Sequence, residues 1–310
     1  MALLIDIGHD GWMTEEEVRD VILSALPDAD VRVRDELGQA SEITMLACSS
    51  LRPDLPARLP GLQLVQKLGA GVETIVAHPS IPAGVRVARL KPMEPAHEIA
   101  QWALAYVLRD QRQLLHYAAA QARRAWEPTA PRQPQRTRVA VLGLGHIGAT
   151  TARLMRDLGF VTTGWSSSPK SIDGITCLHG PEALPALLPE QDYVISILPS
   201  TEATRDLFDA AMLARMKPGA VLLNAGRGDL IDETALIAAL DSDLGGAVLD
   251  VTRKEPLPAD SPLWAHPLVT ITPHVSGWHL GDALLDVAEN YRRLTAKEPL
   301  LHEVDRSRGY

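Results

Sequence analysis

The sequence predicts an α/β protein with two units, each built on a doubly wound parallel sheet. Three observations favour this fold class. Short apolar runs alternate with helical patterns along most of the chain, and this alternation is typical of parallel sheets covered by helices. A Gly-x-Gly-x-x-Gly motif at 143–148 follows one of the apolar runs. The length of 310 residues is more than one hydrophobic core usually organises, so we expect two domains.

The first hundred residues predict a small parallel unit. Thr14 precedes three glutamates, a pattern typical of a helix N-cap with an acidic first turn, and the helix is expected to end before Pro27. The runs that predict strands lie at 2–7, 31–34, 43–48, 62–68 and 85–90.

A long helical pattern follows this unit. It begins near Ala96 and continues toward Arg124. The segment 128–138, which is rich in Pro, Arg and Gln, predicts an exposed loop before the glycine motif.

The second half repeats the strand–helix alternation. One helix is predicted at 233–240, and a last helix near 280–298 could return to the first unit. In a doubly wound sheet the ligand lies at the carboxyl ends of the strands, so the residues that follow strands are the candidates for chemistry. The predicted strands lie at 139–142, 160–165, 193–198, 220–225, 246–251 and 268–272.

The glycine motif predicts a dinucleotide-binding turn. Gly143 allows the sharp turn, Gly145 lets a pyrophosphate approach the backbone, and Gly148 lets the helix pack close to the strand. The amides of His146 and Ile147 would face the phosphates, with the positive end of the helix dipole behind them. The alternative is a glycine-rich turn without a ligand, which the strand-to-helix context makes the weaker interpretation.

Composition argues against several kinds of partner. The formal net charge of −9 disfavours nucleic acid and anionic membranes, and it requires a local positive site for any anionic substrate. No apolar run approaches the roughly 18 residues that span a bilayer, and the N-terminus lacks the basic segment of a signal peptide. Cys48 and Cys177 lie far apart, show no metal-ligand spacing and indicate a reducing cytoplasm.

Three charged or titratable residues follow three of the predicted strands. Arg227, Glu255 and His274 are therefore expected to face one site. Reduction of a 2-keto acid needs a cation for the carboxylate, which suits the forked guanidinium of Arg227. It also needs a proton for the developing alkoxide, which His274 can supply while Glu255 orients the imidazole. Each residue also has a structural interpretation, as a solvated arginine, a loop carboxylate or a turn histidine.

A series of further motifs surrounds these residues, and together they resemble the D-isomer-specific 2-hydroxyacid dehydrogenase family. Within that family the resemblance is to the glyoxylate/hydroxypyruvate reductase A branch. The resemblance is strong from about residue 137 to the end of the sequence. It is weaker in the first hundred residues, where Gly-Ala-Gly-Val at 69–72 is the main matching motif. The motifs are Gly-Leu-Gly-His-Ile-Gly at 143–148, Gly-Trp-Ser at 164–166, Ile-Leu-Pro-Ser-Thr at 197–201, Leu-Asn-Ala-Gly-Arg-Gly at 223–228, Leu-Asp-Val at 249–251, Glu-Pro-Leu-Pro at 255–258, Ser-Pro-Leu-Trp at 261–264, Thr-Pro-His at 272–274 and the tail 304–310.

The resemblance implies two Rossmann-like domains, of which the substrate domain is discontinuous. A flavodoxin-like substrate-binding domain would comprise 1–98 and 283–310, and the dinucleotide-binding domain 99–282. Arg227 would bind the substrate, His274 would donate the proton and Glu255 would be the partner of the histidine. The resemblance also implies a homodimer, joined largely through helices of the nucleotide domain that include the arm near 96–130.

Further contacts are expected around these residues. Asp250 would lie near the nicotinamide amide, and Leu198 and Pro199 near the adenosine. The other expected cofactor contacts are Gly143, Gly145, His146, Ile147, Gly148, Trp165, Ser166, Ser167, Lys170, Ala225, Gly226, Arg227, His274, Ser276 and Gly277. The expected substrate contacts are Ala70, Gly71 and Val72 through their amides, Arg227, His274 and Trp278.

One departure from the usual pattern bears on the coenzyme. NAD-selective sites usually place an acid about 20 residues past the glycines, where it binds the ribose 2′-hydroxyl. Here Trp165 is followed by Ser-Ser-Ser-Pro-Lys, without an acid. We therefore expect NADP to be preferred and NAD to be possible. The related branch usually has arginines at the positions of Ser167 and Pro169, so Lys170 and the serine hydroxyls are left to hold a 2′-phosphate, and the selectivity should be modest.

The leading hypothesis is an NADPH-dependent reductase of a small 2-keto acid such as glyoxylate or hydroxypyruvate. Two other functions stay open. Formate and phosphite dehydrogenases resemble the same family, although the Asn and Gln pattern of formate enzymes is not found here. A non-enzymatic dinucleotide-sensing scaffold is the third hypothesis, because the same fold also serves such proteins.

Overall fold

The computed structural model describes residues 1–8, 13–76 and 78–306, which form two compact units. The first unit comprises Met1–Met93 and His279–Tyr310, and the second comprises Glu94–Trp278. We expected the divisions after residues 98 and 282. Residues 307–310 of the family-like tail lie outside the described residues. The predicted α/β class with two parallel sheets is confirmed.

Strands and helices alternate along the described chain. The strands are β1 (Ala2–Ile5), β2 (Val31–Val33), β3 (Ile43–Cys48), β4 (Leu64–Lys67), β5 (Arg86–Arg89), β6 (Arg138–Leu142), β7 (Val161–Ser166), β8 (Thr176–His179), β9 (Tyr193–Ser196), β10 (Val221–Asn224), β11 (Gly246–Leu249) and β12 (Val269–Ile271). The helices are α1 (Glu15–Ala25), α2 (Glu73–Val76), α3 (Glu94–Gln111), α4 (Leu114–Ala122), α5 (His146–Asp157), α6 (Ala183–Leu187), α7 (Ala210–Leu213), α8 (Glu233–Ser242) and α9 (Leu285–Ala296).

The first unit contains a five-stranded parallel sheet in the order β2-β1-β3-β4-β5, together with α1, α2 and α9. Thr14 caps α1 as predicted. Its hydroxyl accepts from the Glu17 amide at 3.1 Å, and the Glu17 carboxylate accepts from the Thr14 amide at 2.8 Å. These reciprocal bonds satisfy two amides that a helix start leaves without partners.

The second unit contains a seven-stranded parallel sheet in the order β12-β11-β10-β9-β6-β7-β8. The chain runs outward from β6 to β8 and then returns to place β9 on the other side of β6. This reversal of strand order leaves a crevice at the carboxyl ends of β6 and β9, which is where ligands bind in such sheets.

Both faces of this second sheet are buried. Leu142 and Leu222 lie in one apolar cluster, whereas the neighbouring Val141 and Leu223 lie in another on the opposite face. In the sequence, strands buried on both faces appear as continuous apolar runs, not as an alternation of apolar and polar residues. This explains why the central strands were readily predicted.

Two parts of the second unit differ from the prediction. The helix expected from 96 to 124 is divided into α3 and α4, because Gln113 adopts a left-handed conformation with φ of +55°. Strand β8 was not predicted, since it is an edge strand whose residues are exposed or half-buried, so it lacks an apolar run. Within the described chain, no helix combines the length and apolarity needed to cross a membrane.

Candidate active site

A histidine–glutamate pair lies at the carboxyl edge of the second sheet. His274 follows β12 and Glu255 follows the adjacent β11, and His274 Nδ1 is 2.7 Å from Glu255 Oε2. An ionised carboxylate can only accept, so Nδ1–H donates this hydrogen bond. Nε2 has no partner among the described residues. It is therefore the nitrogen that can exchange a proton with a substrate.

Glu255 is held in place and kept ionised by its neighbours. Its second oxygen, Oε1, accepts from the Thr252 amide at 3.0 Å. Burial raises the pKa of Glu255. The hydrogen bond and the charge of His274, the hydrogen bond from the Thr252 amide and the charge of Arg227 all lower it. Together they outweigh burial, so the pKa of Glu255 lies below its ordinary value. The carboxylate therefore stays charged at neutral pH and orients the imidazole.

The backbone of His274 adopts a conformation that residues other than glycine rarely take. Its φ is +55°, in the left-handed region. Backbone outliers of this kind cost roughly 1–3 kcal/mol and cluster at functional sites. The His274 amide donates to the Asp250 carbonyl at 2.8 Å. The Asp250 side chain accepts from the amides of Val275 and Ser276 at 2.9 and 3.0 Å, so it fixes the loop directly after the strained residue.

Asp250 also belongs to a hydrogen-bonded chain that reaches α3. The Thr272 hydroxyl donates to Asp250 Oδ1 at 2.6 Å and accepts from the Trp102 indole N–H at 3.1 Å. Asp250 is 2% exposed, and both of its carboxylate oxygens are engaged by the protein. Its role in these contacts is structural, and its expected place beside the nicotinamide amide stays a prediction.

Two glycines place Arg227 between neighbouring loops. A Cβ on Gly226 would lie 2.5 Å from the carbonyl oxygen of Leu198, in the loop after β9. A Cβ on Gly228 would lie 1.9 Å from the carbonyl oxygen of Thr252, in the loop that carries Glu255. Only glycine allows such close approaches. Arg227 is thus fixed within range of Glu255, whose pKa its charge helps to lower.

Asn224 is a site residue that the sequence reasoning missed. It is the last residue of β10 and is fully buried. Its Nδ2 donates to the Arg227 carbonyl at 2.8 Å, and its Oδ1 accepts from the Gly226 amide at 3.1 Å. The side chain therefore closes the turn that presents the guanidinium. The available signal was an Asn at the start of a Gly-containing turn, where its side chain commonly bonds the backbone.

The glycine turn has the geometry of a dinucleotide cradle. A Cβ on Gly148 would lie 1.7 Å from the Gly143 carbonyl oxygen, so α5 packs directly on the turn, while Gly143 itself has φ of +99°. A Cβ on Gly145, in contrast, would meet nothing within 4 Å. No protein atom therefore excludes a larger side chain at position 145, whereas a pyrophosphate bound there would exclude one. The first amides of α5, at His146 and Ile147, have no side-chain cap and suit a phosphate.

Leu198, Pro199, Ala225 and Gly226 lie together beside this turn. Leu198 and Ala225 are buried, at 6% and 9% exposure. The Leu198 side chain would lie 3.2 Å from a Cβ on Gly143, and the Leu198 backbone touches Gly226. These loops follow β9, which pairs with β6, and β10, which pairs with β9, so the structure brings the expected adenosine contacts Leu198 and Pro199 to the crevice at the strand reversal.

The expected 2′-phosphate residues differ in accessibility. Ser167 and Lys170 are exposed. Ser166 is 6% exposed, and its hydroxyl donates to the Ser168 carbonyl at 2.8 Å. The Trp165 indole is buried in the core and donates to the Gly180 carbonyl at 2.8 Å. Ser167, Ser168 and Lys170 therefore have side chains available to a ligand, whereas Ser166 and Trp165 do not.

The residues after His274 continue along the same loop. Ser276 is 5% exposed, and a Cβ on Gly277 would lie 3.0 Å from the Ile99 side chain, so both are packed against the protein. The Trp278 amide donates to the Glu98 carboxylate at 2.6 Å, and Trp278 is 39% exposed. Of these residues, Trp278 has the most accessible side chain.

The loop 69–72 belongs to the first unit, at the carboxyl end of β4. None of the hydrogen bonds within the described residues uses the amides of Ala70, Gly71 or Val72 as donors. Successive backbone amides without protein acceptors can donate to a bound anion. The local geometry suits the expected role in binding a carboxylate.

Sequence comparison relates the chain to known oxidoreductases. Residues 104–276 match the profile of the D-isomer specific 2-hydroxyacid dehydrogenase, NAD binding domain. Glyoxylate/hydroxypyruvate reductase A of Yersinia enterocolitica is 34% identical over 256 residues, which cover 80% of this chain and 82% of that protein. The protein of the same name from Serratia proteamaculans is 38% identical over 256 residues, with the same coverage of both chains.

Solved structures resemble the chain along its length. A D-isomer specific 2-hydroxyacid dehydrogenase from Xanthobacter autotrophicus Py2, in complex with NADPH and MES, is 38% identical with a TM-score of 0.93, covering 100% of this chain and 99% of that one. An NADPH-dependent glyoxylate/hydroxypyruvate reductase from Sinorhizobium meliloti, in complex with NADP and sulfate, is 30% identical with a TM-score of 0.91 and the same coverage.

Proposed function

The chain belongs to the D-isomer specific 2-hydroxyacid dehydrogenase family, and on that premise we propose that it uses NADPH to reduce a small 2-keto acid, such as glyoxylate or hydroxypyruvate. The family resemblance inferred from the motifs is thereby confirmed. The observation that carries the proposed reaction is the hydrogen-bonded pair of His274 and Glu255, on the same sheet edge as Arg227 and the glycine turn.

The proposed reaction converts a 2-keto acid, NADPH and one proton into the 2-hydroxy acid and NADP⁺. The bound cofactor supplies the hydride to the keto carbon. Arg227 binds the substrate carboxylate and polarises the keto oxygen with its planar fork of donors. His274 donates a proton from Nε2 to that oxygen as it becomes an alkoxide. Glu255 holds the imidazole ring in the orientation that presents Nε2 to the substrate.

The proposed cofactor site uses the open space at Gly145. Gly145 and the first amides of α5 would hold the pyrophosphate, and Leu198 and Pro199 would hold the adenosine. Ser167 and Lys170 would hold the 2′-phosphate. Because no acid directly follows β7, the chain prefers NADPH, although one lysine supported only by uncharged serine makes this preference modest.

The loop 69–72 and Trp278 supply further proposed substrate contacts. The amides of Ala70, Gly71 and Val72 bind the substrate carboxylate, which is supported by their lack of acceptors among the described residues. Trp278, at the end of the second unit, is the proposed contact for the substrate side chain.

We also propose a homodimer, located in the cytoplasm, in which the arm of the second unit joins two copies. The arm exposes large apolar side chains, with Leu114 at 53%, Leu115 at 65% and Trp126 at 96% exposure. Clustered exposed apolar residues of this kind mark interaction surfaces. Light scattering of the purified protein tests the dimer, and a monomer at all concentrations would contradict it.

A spectrophotometric panel tests the proposed function. Glyoxylate, hydroxypyruvate, formate and phosphite are each offered with both coenzymes in the appropriate redox form. We expect oxidation of NADPH with a 2-keto acid and weaker turnover with NADH. Turnover of formate or phosphite alone, or of no substrate, would contradict the proposal.

A further inference from the structure

Two threonines on β12 and directly after it are hydrogen-bonded to side chains of α3. Thr270 lies within β12, and its hydroxyl accepts from Arg109 Nη1 at 2.9 Å. Thr272 follows the strand, and its hydroxyl accepts from the Trp102 indole N–H at 3.1 Å. Trp102 and Arg109 are seven residues apart in α3, so they lie on one face of the helix. This face of α3 is therefore bonded to β12 at two points.

The bond from Trp102 sets the direction of the Thr272 hydroxyl. An indole N–H can only donate, so Thr272 Oγ1 must accept from it. A hydroxyl carries a single proton, and that of Thr272 is donated to Asp250 Oδ1 at 2.6 Å. The chain of bonds therefore runs one way, from α3 through Thr272 to the buried carboxylate.

Asp250 and Thr272 together hold the backbone around His274. The His274 amide donates to the Asp250 carbonyl at 2.8 Å and to the Thr272 carbonyl at 3.0 Å. The Asp250 carboxylate accepts from the next two amides, those of Val275 and Ser276. A left-handed residue such as His274 persists where its surroundings over-determine its conformation. The Thr272 hydroxyl is one of the contacts that fix Asp250 and so contributes to this restraint.

The position of this backbone decides where the imidazole points. His274 Nδ1 lies 2.7 Å from Glu255 Oε2, on the loop after the neighbouring strand. A general acid must lie within hydrogen-bond reach of the atom that it protonates, and small displacements lower the rate strongly. The Thr272 hydroxyl is bonded to Trp102 and Asp250. It can therefore influence proton donation through these residues without contacting a substrate.

We propose that Thr272, with its hydroxyl directed by Trp102, is a positioning residue that holds His274 in the orientation for proton donation. This inference rests on the proposed function and adds a residue to the same site. All the residues of the chain belong to the second unit. Loss of the hydroxyl displaces Nε2 and slows proton donation, while the substrate contacts of Arg227 are kept.

The test measures kcat and KM for glyoxylate with NADPH, together with the solvent deuterium isotope effect on kcat. Thr272→Val removes the hydroxyl at nearly constant shape, whereas Thr272→Ser keeps it. Thr270→Val is the matched control, because it removes the neighbouring hydroxyl, which bonds Arg109 of the same helix.

The variants should differ in kcat and in the isotope effect. We expect Thr272→Val to lower kcat by about tenfold, the size of one lost hydrogen bond, with KM within about threefold of wild type. Its isotope effect should be larger than that of wild type, because proton donation limits the rate more. Thr272→Ser and Thr270→Val should keep kcat within about threefold and leave the isotope effect unchanged.

The outcomes separate this inference from the proposed function. Equal losses of kcat in Thr272→Val and Thr270→Val, or a loss with an unchanged isotope effect, would overturn the role of Thr272 alone. A wild-type protein without activity on any 2-keto acid would overturn the proposed function as well. If Thr272→Val does not fold, Trp102→Phe replaces it, because it removes the N–H that directs the hydroxyl. Its kcat should then lie below that of Thr270→Val, with the larger isotope effect.

Discussion

His274 Nδ1 donates to Glu255 Oε2 over 2.7 Å, and the two residues follow adjacent parallel strands. The contact leaves Nε2 as the nitrogen that can exchange a proton with a substrate. It also explains the pKa of Glu255, which lies below its ordinary value despite the effect of burial. The pair therefore couples the ionisation of Glu255 to the orientation of His274.

Glu255 should contribute to stability in a pH-dependent manner. Its pKa is lower in the folded protein than the ordinary value of 4.5. Its contribution is therefore fully present above the ordinary value and is lost as pH falls through the lower folded pKa. We expect the difference in the free energy of unfolding between wild type and Glu255→Gln to shrink as the pH falls below about 4.5. Denaturant titrations at several pH values measure it, and a difference that grows on acidification would contradict this account.

Arg227 should affect binding and turnover together. Arg227→Lys keeps the charge but loses the planar fork, so we expect kcat/KM to fall by about 10- to 100-fold, with KM raised and kcat lowered. Steady-state kinetics on the keto acid provide the measurement. The exposed Arg215→Lys serves as a matched control. A change confined to KM would show that Arg227 binds substrate without assisting the reaction.

Two glycines of the turn should respond differently to the same substitution. Gly145→Ala places its Cβ in open space, so the fold should be kept while the Kd for NADPH rises by about tenfold or more. Gly148→Ala places its Cβ against the Gly143 carbonyl and should destabilise the protein by about 1–3 kcal/mol. Fluorescence titration and thermal unfolding separate the two effects. Unaltered NADPH binding by Gly145→Ala would contradict the cradle.

Asn224 should act through Arg227. Asn224→Asp keeps the acceptor for the Gly226 amide but replaces the donor to the Arg227 carbonyl. We expect kcat/KM for the keto acid to fall by about tenfold, the effect of a lost buried hydrogen bond and an unsatisfied group. The Kd for NADPH should change much less. Equal losses in NADPH binding and in keto-acid turnover would instead indicate a general loss of structure.

Much of the fold could be predicted from the sequence because parallel strands buried on both faces give continuous apolar runs. The glycine turn was recognisable since Gly143, Gly145 and Gly148 have fixed spacing between a strand and a helix. The edge strand β8 has no such run. The break between α3 and α4 was equally hidden, because Gln113 is neither glycine nor proline and only the tertiary structure places it in a left-handed conformation.

The location of the site could be predicted for those residues that lie after the carboxyl ends of strands. Arg227, Glu255 and His274 all follow strands, so their common sheet edge could be expected, while their catalytic roles stay predictions. Asn224 was missed, because its bonds to the Gly226 amide and the Arg227 carbonyl form within a turn whose conformation the motif alone does not specify.

The most direct test of the account is the activity of His274→Ala with NADPH and glyoxylate or hydroxypyruvate. A lost general acid should lower kcat by about 10²- to 10⁴-fold. The Kd for NADPH should stay within about threefold of wild type, because the pyrophosphate cradle lies on α5 and the glycine turn. Turnover near the wild-type value would remove His274 as the proton donor and contradict the proposed reaction.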